Sequence, residues 1–399
     1  MKRRRWSLLT ALALVAGLVA VGPQASAAPV TFDIQVGAFP GNPSRLPAES
    51  MRYFPRVMDA HQGDTLHFTS DSFHSATFML ANVDPDQWVA DNATAFDDPF
   101  AATVADPDEG PKAAKFGLTA FLPTDDSCGT PDNPCSVDGT DVMNSGLPIF
   151  GPLDFSATLD VAPGTTLDLF CVIHSPMRMT INVVADATAI QSQDDIDADT
   201  AEKIAKDKEK AQNVHKRFSN RHTKTVRNGR RIWDAYPGVD RGHISLLAMY
   251  PRQLEVRKGD KVKWHFEELK FETHTVSMPR SRSKEEGNAD FQPSCDPDGD
   301  GGPLPDVPPT NPADPFSCPA GTEPEVDRNR AAYLLKGNGN VKGYKDFESS
   351  GERGPSMPAP PSEGLVPYKL KFKERSDPGK PFRYLCIIHR FMRGSVTVD

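Results

Sequence analysis

The chain has 399 residues, 45 of them basic and 54 acidic, for a formal net charge of -9 at pH 7. That balance excludes a nucleic-acid-binding surface as the leading expectation, because phosphate backbones are held by basic faces. The length leaves room for two or three domains with cores of their own, and 37 prolines with 29 glycines favour strands joined by irregular segments over a helical bundle.

At the N-terminus, Lys2, Arg3, Arg4 and Arg5 precede an apolar run of 14 residues, Leu8 to Val21, and then the small residues Ala25, Ser26 and Ala27. This order predicts a signal peptide over residues 1–27 and a secreted or otherwise extracytoplasmic protein. The run is too short to cross a hydrocarbon core of about 30 Å, and no transmembrane segment is expected after the signal is removed. Arg3-Arg4-Arg5 followed by Trp6 loosely resembles a twin-arginine signal, with the general secretory route the preferred reading. Removal of the four basic residues takes the charge from -9 to -13.

"YFPRVMDAHQGDTLHF" (Tyr53 to Phe68) reads as strand, Gly-Asp turn, strand. "MYPRQLEVRKGDKVKW" (Met249 to Trp264) repeats it 196 residues later, with Pro-Arg and Gly-Asp in the same places. His74 follows the first copy in "FHSATF" and His274 the second in "ETHTVSM". After a long stretch rich in Pro, Asp and Gly comes "LFCVIHSPMRM" (Leu169 to Met179), and after another comes "YLCIIHRFMRG" (Tyr384 to Gly394). Each leads into an alternating strand, "MTINVV" and "SVTVD". One β-domain is therefore expected twice, over residues 28–190 and 229–399.

Between the copies, residues 191–228 form a charged linker. Its segment Ser192 to Asn220 predicts a mostly solvated helix, frayed at both ends, with a narrow apolar stripe of Ile196, Ile204, Ala211, Val214 and Phe218. The expected role is a spacer docking lightly on its own domains; a helix that binds a partner is the other reading.

The chemistry lies in the spacing Cys-x-x-His-x-x-Met. Thiolate and thioether are soft ligands that select copper, imidazole suits it, and two histidines, one cysteine and a weak axial methionine make an electron-transfer copper site. The residues expected to supply two such sites are His74, Cys171, His174 and Met177, and His274, Cys386, His389 and Met392. Zinc competes, but methionine serves it poorly and structural zinc sites prefer two or more cysteines. Chance packing of a buried cysteine does not account for the same triple twice, each with an upstream histidine.

At these residues the sequence resembles the cupredoxins, and within them the amicyanin-like and plastocyanin-like proteins; "YLCIIHRFMRGSVTV" is similar to the closing loop and last strand of amicyanin. The resemblance implies an all-β fold, two tandem Greek-key β-sandwich domains with one type 1 copper each. It implies electron transfer between redox proteins, a donor and an acceptor whose identities the sequence does not give. His174 and His389 would be the exposed exit points, because the family exposes that histidine edge. Three features depart from the family. The upstream histidines lie 97 and 112 residues before their cysteines, so each domain carries a long insertion. Ile173 and Ile388 stand where proline is common, restoring a backbone N–H that could bond the thiolate and raise the potential. Ser75 and Thr275 stand where asparagine is common, leaving a hydroxyl to make its hydrogen bond.

The four remaining cysteines fall two to an insertion, which in an exported protein predicts Cys128–Cys135 and Cys295–Cys318 disulfides pinning these loops. In "CDPDGDGG", Asp296, Asp298 and Asp300 alternate before Gly301 like the first half of a calcium loop, but the twelfth position is Val307; a solvated acidic turn is the main reading and a calcium site the other. His61, His67, His215, His222, His243 and His265 are left over, and no His-x-His occurs, so the chain is not expected to be an enzyme with a second, histidine-rich copper centre. Copper storage or delivery, and a secreted scaffold stabilised by copper, are the alternative functions.

Overall fold

The computed structural model of the chain describes residues 28–79, 84, 88, 114–116, 123–148, 152–221, 223–227, 230–288, 292–296, 319–320, 322–328, 335–355 and 364–399. The expected signal peptide lies outside them. The first half supplies β1 (Thr31–Ala38), β2 (Ala48–Phe54), β3 (Val57–His61), β4 (Thr65–Ser70) and β5 (Thr77–Met79). Beyond an insertion come β6 (Ala114–Phe116), β7 (Cys135–Val137), β8 (Met143–Asn144), β9 (Leu153–Leu159), β10 (Thr166–Cys171) and β11 (His174–Val184). Helix α1 (Gln193–Ser219) leads to β12 (Lys224–Arg227), β13 (Arg230–Arg241), β14 (Ile244–Tyr250), β15 (Gln253–Val256), β16 (Lys261–Trp264) and β17 (Ser277–Met278). The second insertion holds α2 (Arg280–Asn288), β18 (Gln292–Asp296), β19 (Glu323–Arg328), β20 (Leu335–Lys336), β21 (Asn340–Val341) and β22 (Glu348–Ser350). Strands β23 (Tyr368–Phe372), β24 (Phe382–Leu385) and β25 (Arg393–Val398) close the chain.

The fold is all-β, and the repeat read from the sequence reappears as matching strand pairings. In the first half β1 pairs antiparallel with β2 and parallel with β4, and β4 pairs with β9. In the second, β13 does the same with β14 and β16, and β16 with β23. The facing sheets run β3-β11-β10-β5 and β15-β25-β24-β17. Alternation puts one side chain of each pair inward: Leu66, Phe68 and Ser70 of β4 are buried, as are Val262 and Trp264 of β16. One core gathers residues between Phe32 and Ile196, around Phe68, Phe78 and Leu169; another gathers residues between Ala235 and Val398, around Trp264, Leu370 and Tyr384.

The two halves share a sheet. β14 pairs antiparallel with β2, with Ile244 opposite Ser50, Ser245 opposite Glu49 and Leu246 opposite Ala48. Glu49 and Ser245 are also equivalent positions of the repeat, 196 residues apart. A local two-fold axis therefore passes through this pair, as in a self-complementary dimer interface built within one chain. The pairing covers two edges that would otherwise be open to other chains.

Helix α1 packs over this junction. Ile196, Ala211 and Phe218 of the expected stripe are buried and Ile204 and Val214 half-buried, and the third apolar cluster joins Ala211 and Phe218 to Leu46, Ala48, Tyr236, Leu246 and Tyr250. The N-terminus is not frayed: the Ser192 side chain accepts from the Asp195 N–H while the Asp195 carboxylate accepts from the Ser192 N–H, a reciprocal cap. Asp207, on no apolar stripe, is buried against Arg52 at 3.1 Å.

The insertions differ from irregular loops in one respect. β6 of the first pairs with β19 of the second, and β19 with β18, so a small sheet draws on both. The Cys128–Cys135 disulfide is present, with Cα atoms 4.9 Å apart, and it fastens the loop to β7, which lies parallel to β9. The expected Cys295–Cys318 pair and the Asp296, Asp298 and Asp300 turn fall outside the residues and side chains described. No helix among the described residues is long and apolar enough to cross a membrane.

Phe218 is fully buried, with its ring edge-on to Tyr236 at 5.1 Å and to Tyr250 at 6.0 Å. Phe218→Ala should cost about 3–5 kcal/mol in urea unfolding, the range for deleting a buried aromatic. A loss below about 1 kcal/mol would mean that the helix only rests on the junction.

Candidate metal centres

Each centre is assembled at one end of a sandwich. Cys171 ends β10, His174 begins β11, and His74 stands just ahead of β5, which lies beside β10. In the second half Cys386 follows β24, the turn to β25 carries His389 and Met392, and His274 precedes β17, itself paired with β24. The structure thus brings together His74, Cys171 and His174 as one group and His274, Cys386 and His389 as the other, the two such groups found among the described residues. Met177 and Met392 are buried in the same two cores as the cysteines.

The donor atoms converge. In the first group the two Nδ1 atoms are 3.1 Å apart and the Cys171 Sγ lies 3.8 and 3.6 Å from them. In the second the separations are 3.0, 3.9 and 3.9 Å. A point equidistant from the three donors of either group lies about 2 Å from each, the length of a transition-metal bond to imidazole or thiolate. The residues present therefore fit a trigonal His₂Cys ion.

Hydrogen bonds fix these ligands, and they differ in part from the sequence expectation. The hydroxyls of Ser75 and Thr275 accept from the N–H of the residue after each cysteine, Val172 at 3.0 Å and Ile387 at 2.8 Å, as expected of the missing asparagine. The N–H groups aimed at sulfur are not those of Ile173 and Ile388. Ser75 N–H reaches Cys171 Sγ at 3.5 Å, and Cys386 Sγ receives two, from Thr275 and His389, each at 3.3 Å. In the second loop the turn carries the histidine's own N–H over the sulfur, one residue later than expected.

Behind the donors lie acidic groups. Glu49 accepts from His74 Nε2 at 2.7 Å and from the Ser72 hydroxyl. An acceptor at Nε2 holds the proton there and leaves the Nδ1 lone pair for a metal. His274 Nε2 has no such partner. Glu272, also buried, places Oε1 3.3 Å from His174 Nε2 and Oε2 3.5 Å from His389 Nε2, so one carboxylate serves the outer edges of both loop histidines. Sequence reasoning singles out neither Glu49 nor Glu272; each sits in an ordinary strand or loop stretch, and only their juxtaposition with the ligands marks them.

His174 lacks the exposed edge expected of it, and His389 has it only in part. Their side chains are 7% and 18% exposed. The two-fold relation of the halves turns the loops toward each other, and both edges come within 3.5 Å of Glu272.

The electrostatics follow. Burial by itself would push the Cys171 and Cys386 thiols up, but the adjoining histidines hold both well below the usual thiol range. Burial would likewise push the histidines down; Glu49 and Cys171 hold His74 up at about 9, Cys386 and Glu272 hold His389 up at about 9, and Glu272 with Cys171 keeps His174 well above its ordinary value. A metal ion entering either group would compete with protons for these atoms.

The other histidines described have partners of their own: His61 with the Thr188 carbonyl, His67 with Asp33 and Asp154, His215 with the Tyr250 hydroxyl, His243 with Arg56, and His265 with Asp234 and Glu267. His222 lies outside the described residues.

Comparison with known proteins returned no matching family and no curated relative. Solved structures do match. The chain is similar to a reduced auracyanin from Roseiflexus castenholzii at 17% identity, over 40% of this chain and 99% of that one, with a TM-score of 0.22. It is similar to an oxidised amicyanin point mutant at 15% identity, over 45% and 95%, with a TM-score of 0.18. It is also similar to a copper-containing nitrite reductase from Thermus scotoductus SA-01 at 10% identity, over 93% and 99%, with a TM-score of 0.23, and multicopper oxidases are among the matches. The expectation that the chain is not an enzyme is corrected by these last matches: enzymes share the likeness, so it gives no ground for excluding catalysis. It assigns no activity to this chain either. The description of the fold as cupredoxin-like stands on the strand pairing and on the placement of the two His/Cys/His groups.

Two glycines test the geometry. Gly37 and Gly238 adopt φ of +68° and +86°, and a Cβ at either would stand 2.4 Å from the Nε2 of His74 or His274. Gly238→Ala must push the His274 ring off its position, so in a competition with a chelator it should weaken metal binding at the second group and leave the group of Cys171 as it was. Undiminished loading at both sites would show that His274 is not a ligand.

Proposed function

We propose that this chain is an exported blue-copper protein that carries single electrons between redox partner proteins. In this reading residues 28–190 and 229–399 are tandem cupredoxin domains, each with one type 1 copper, and 191–228 is the linker. His74, Cys171, His174 and Met177 hold one ion; His274, Cys386, His389 and Met392 hold the other. The observation that carries the reading is the pair of buried His₂Cys groups whose Nδ1 and Sγ atoms already stand at metal-binding separations, each followed along its loop by a buried methionine, Met177 or Met392.

Copper would supply a one-electron couple; the protein's part is to hold its ligands still. Cys171 and Cys386 are fully buried and their strands belong to the packed cores, so a change in charge would move little around them. The same burial tells against storage or delivery, which needs ligands that exchange readily. The donor and acceptor proteins, and the export that the N-terminal sequence predicts, belong to this proposal. An acidic, metal-binding turn at Asp296, Asp298 and Asp300 finds no support in the described residues.

The first test is the visible spectrum of purified, copper-loaded protein. An intense band toward the red that bleaches with ascorbate, with about two coppers per chain, is expected from cupric thiolate sites. Copper bound without that band would overturn the reading. Cys386→Ser should remove about half of the band and one copper, leaving the first site.

The two potentials should differ. N–H donors draw electron density from the thiolate and favour the cuprous state. Cys386 has two such donors at 3.3 Å and Cys171 one at 3.5 Å, so the second site should have the higher potential. Redox titration of the Cys171→Ser and Cys386→Ser variants measures each site alone; equal or reversed potentials would show that another difference between the sites governs.

A further inference from the structure

The Nε2 edges of His174 and His389 point away from their metal-binding Nδ1 atoms and toward one residue, Glu272. Its two carboxylate oxygens divide between them, Oε1 at 3.3 Å from the first ring and Oε2 at 3.5 Å from the second. Nothing but this side chain need be crossed to go from one loop histidine to the other. We propose that Glu272 is the bridge by which an electron passes between the two copper sites within one chain. The proposal rests on the copper reading above.

Three observations support it. First, the bridge is built rather than incidental. Asp240, fully buried in β13, accepts from the N–H groups of Lys270 at 2.5 Å and Phe271 at 2.8 Å, which fixes the backbone immediately before Glu272. Second, Glu272 is 8% exposed, so its carboxylate lies between the two rings rather than in solvent. Held there, it offers one carboxylate oxygen to each ring edge in a site largely closed to water. Third, the junction of β2 and β14 sets the halves about a local two-fold axis, which is what allows one side chain to meet equivalent histidines of both.

The step balances within the chain. One electron leaves the cuprous site, which becomes cupric, and reduces the cupric site, which becomes cuprous; the Nε2 protons and the Glu272 charge stay where they are. Given the donors to sulfur described above, the electron comes to rest on the second site.

The test uses the full chain loaded with two coppers, in a Met177→Gln background so that the bands of the two sites are distinguishable while the second site keeps all its ligands. A radiolytic pulse delivers less than one electron per chain, and redistribution is followed at both bands. With Glu272 in place, a first-order exchange independent of protein concentration is expected. Glu272→Ala should slow it by about tenfold or more, on the scale at which partners behind metal ligands act, and Glu272→Gln should fall between. Potentials and copper content are measured for each variant, and dipolar coupling of the two cupric ions by electron paramagnetic resonance reports whether their separation has changed. An unchanged exchange rate in a fully loaded Glu272→Ala protein, or redistribution proportional to protein concentration in the parent, overturns the bridge and leaves the copper reading standing. A parent that takes up no copper, or shows no thiolate band, overturns the copper reading and the bridge with it.

Discussion

The pairing of β2 with β14 is the constraint on which the rest depends. Ladder hydrogen bonds fix register, and a slip of one residue would turn every side chain of the junction to the opposite face. With Glu49 set opposite Ser245, the two sandwiches are locked about an axis through that pair. Two separate domains on a flexible tether would hold their metal loops at arbitrary distances. Here the loops are turned inward to the same place, and α1 covers the junction with Ala211 and Phe218 so that it is packed as a core rather than left as a wet contact.

That geometry creates an electrostatic problem and supplies its answer. Imidazole rings with a metal on Nδ1 present a bound proton at Nε2, and a buried N–H without an acceptor is costly. A buried carboxylate without a partner costs more. Glu272 stands between His174 and His389, within ion-pair distance of both at 3.3 and 3.5 Å. Glu49 does the same for His74 alone, with the Ser72 hydroxyl as its second donor. Each of these two carboxylates is answered by side chains of the ligand loops, Glu49 within its own half and Glu272 across both.

What the sequence made legible was local. The candidate triples are confined to seven residues each, so spacing alone singles out Cys171, His174 and Met177 and their counterparts; the structure gathers the cysteine and histidine of each with His74 or His274. The repeated Pro-Arg and Gly-Asp signals mark the strand pairs, and the stripe ending at Phe218 marks the buried face of α1. The cap of α1 is written there too, in Ser192 three residues before Asp195, and the expectation of a frayed end overlooks it. What was not legible depends on contacts between distant segments. Nothing in "FETH" shows that Glu272 faces His174 of the other half, and nothing in "AES" shows that Glu49 is buried. The expectation of exposed histidine edges falls short for the same reason: it treats each domain as if alone, and the β2–β14 pairing is a property of both.

The two copies differ where the axis requires them to differ. Had both carried glutamate at the Glu49 position, two carboxylates would lie directly opposite each other across a buried pair, which is destabilising for like charges. The second copy has Ser245 there instead. The loop position two residues before the upstream histidine shows the reverse exchange: serine in the first copy, Ser72, and glutamate in the second, Glu272. Each half thus contributes one acid, from different elements, and the four equivalent positions hold two carboxylates and two hydroxyls. The consequence is an asymmetry in the sites themselves. His74 is tied by Glu49, while His274 Nε2 has no acceptor and its ring is confined by the backbone of Gly238. A strictly repeated sequence would have crowded the junction with like charge; the swap of glutamate for serine at two positions is what lets the two copies of the repeat close on each other.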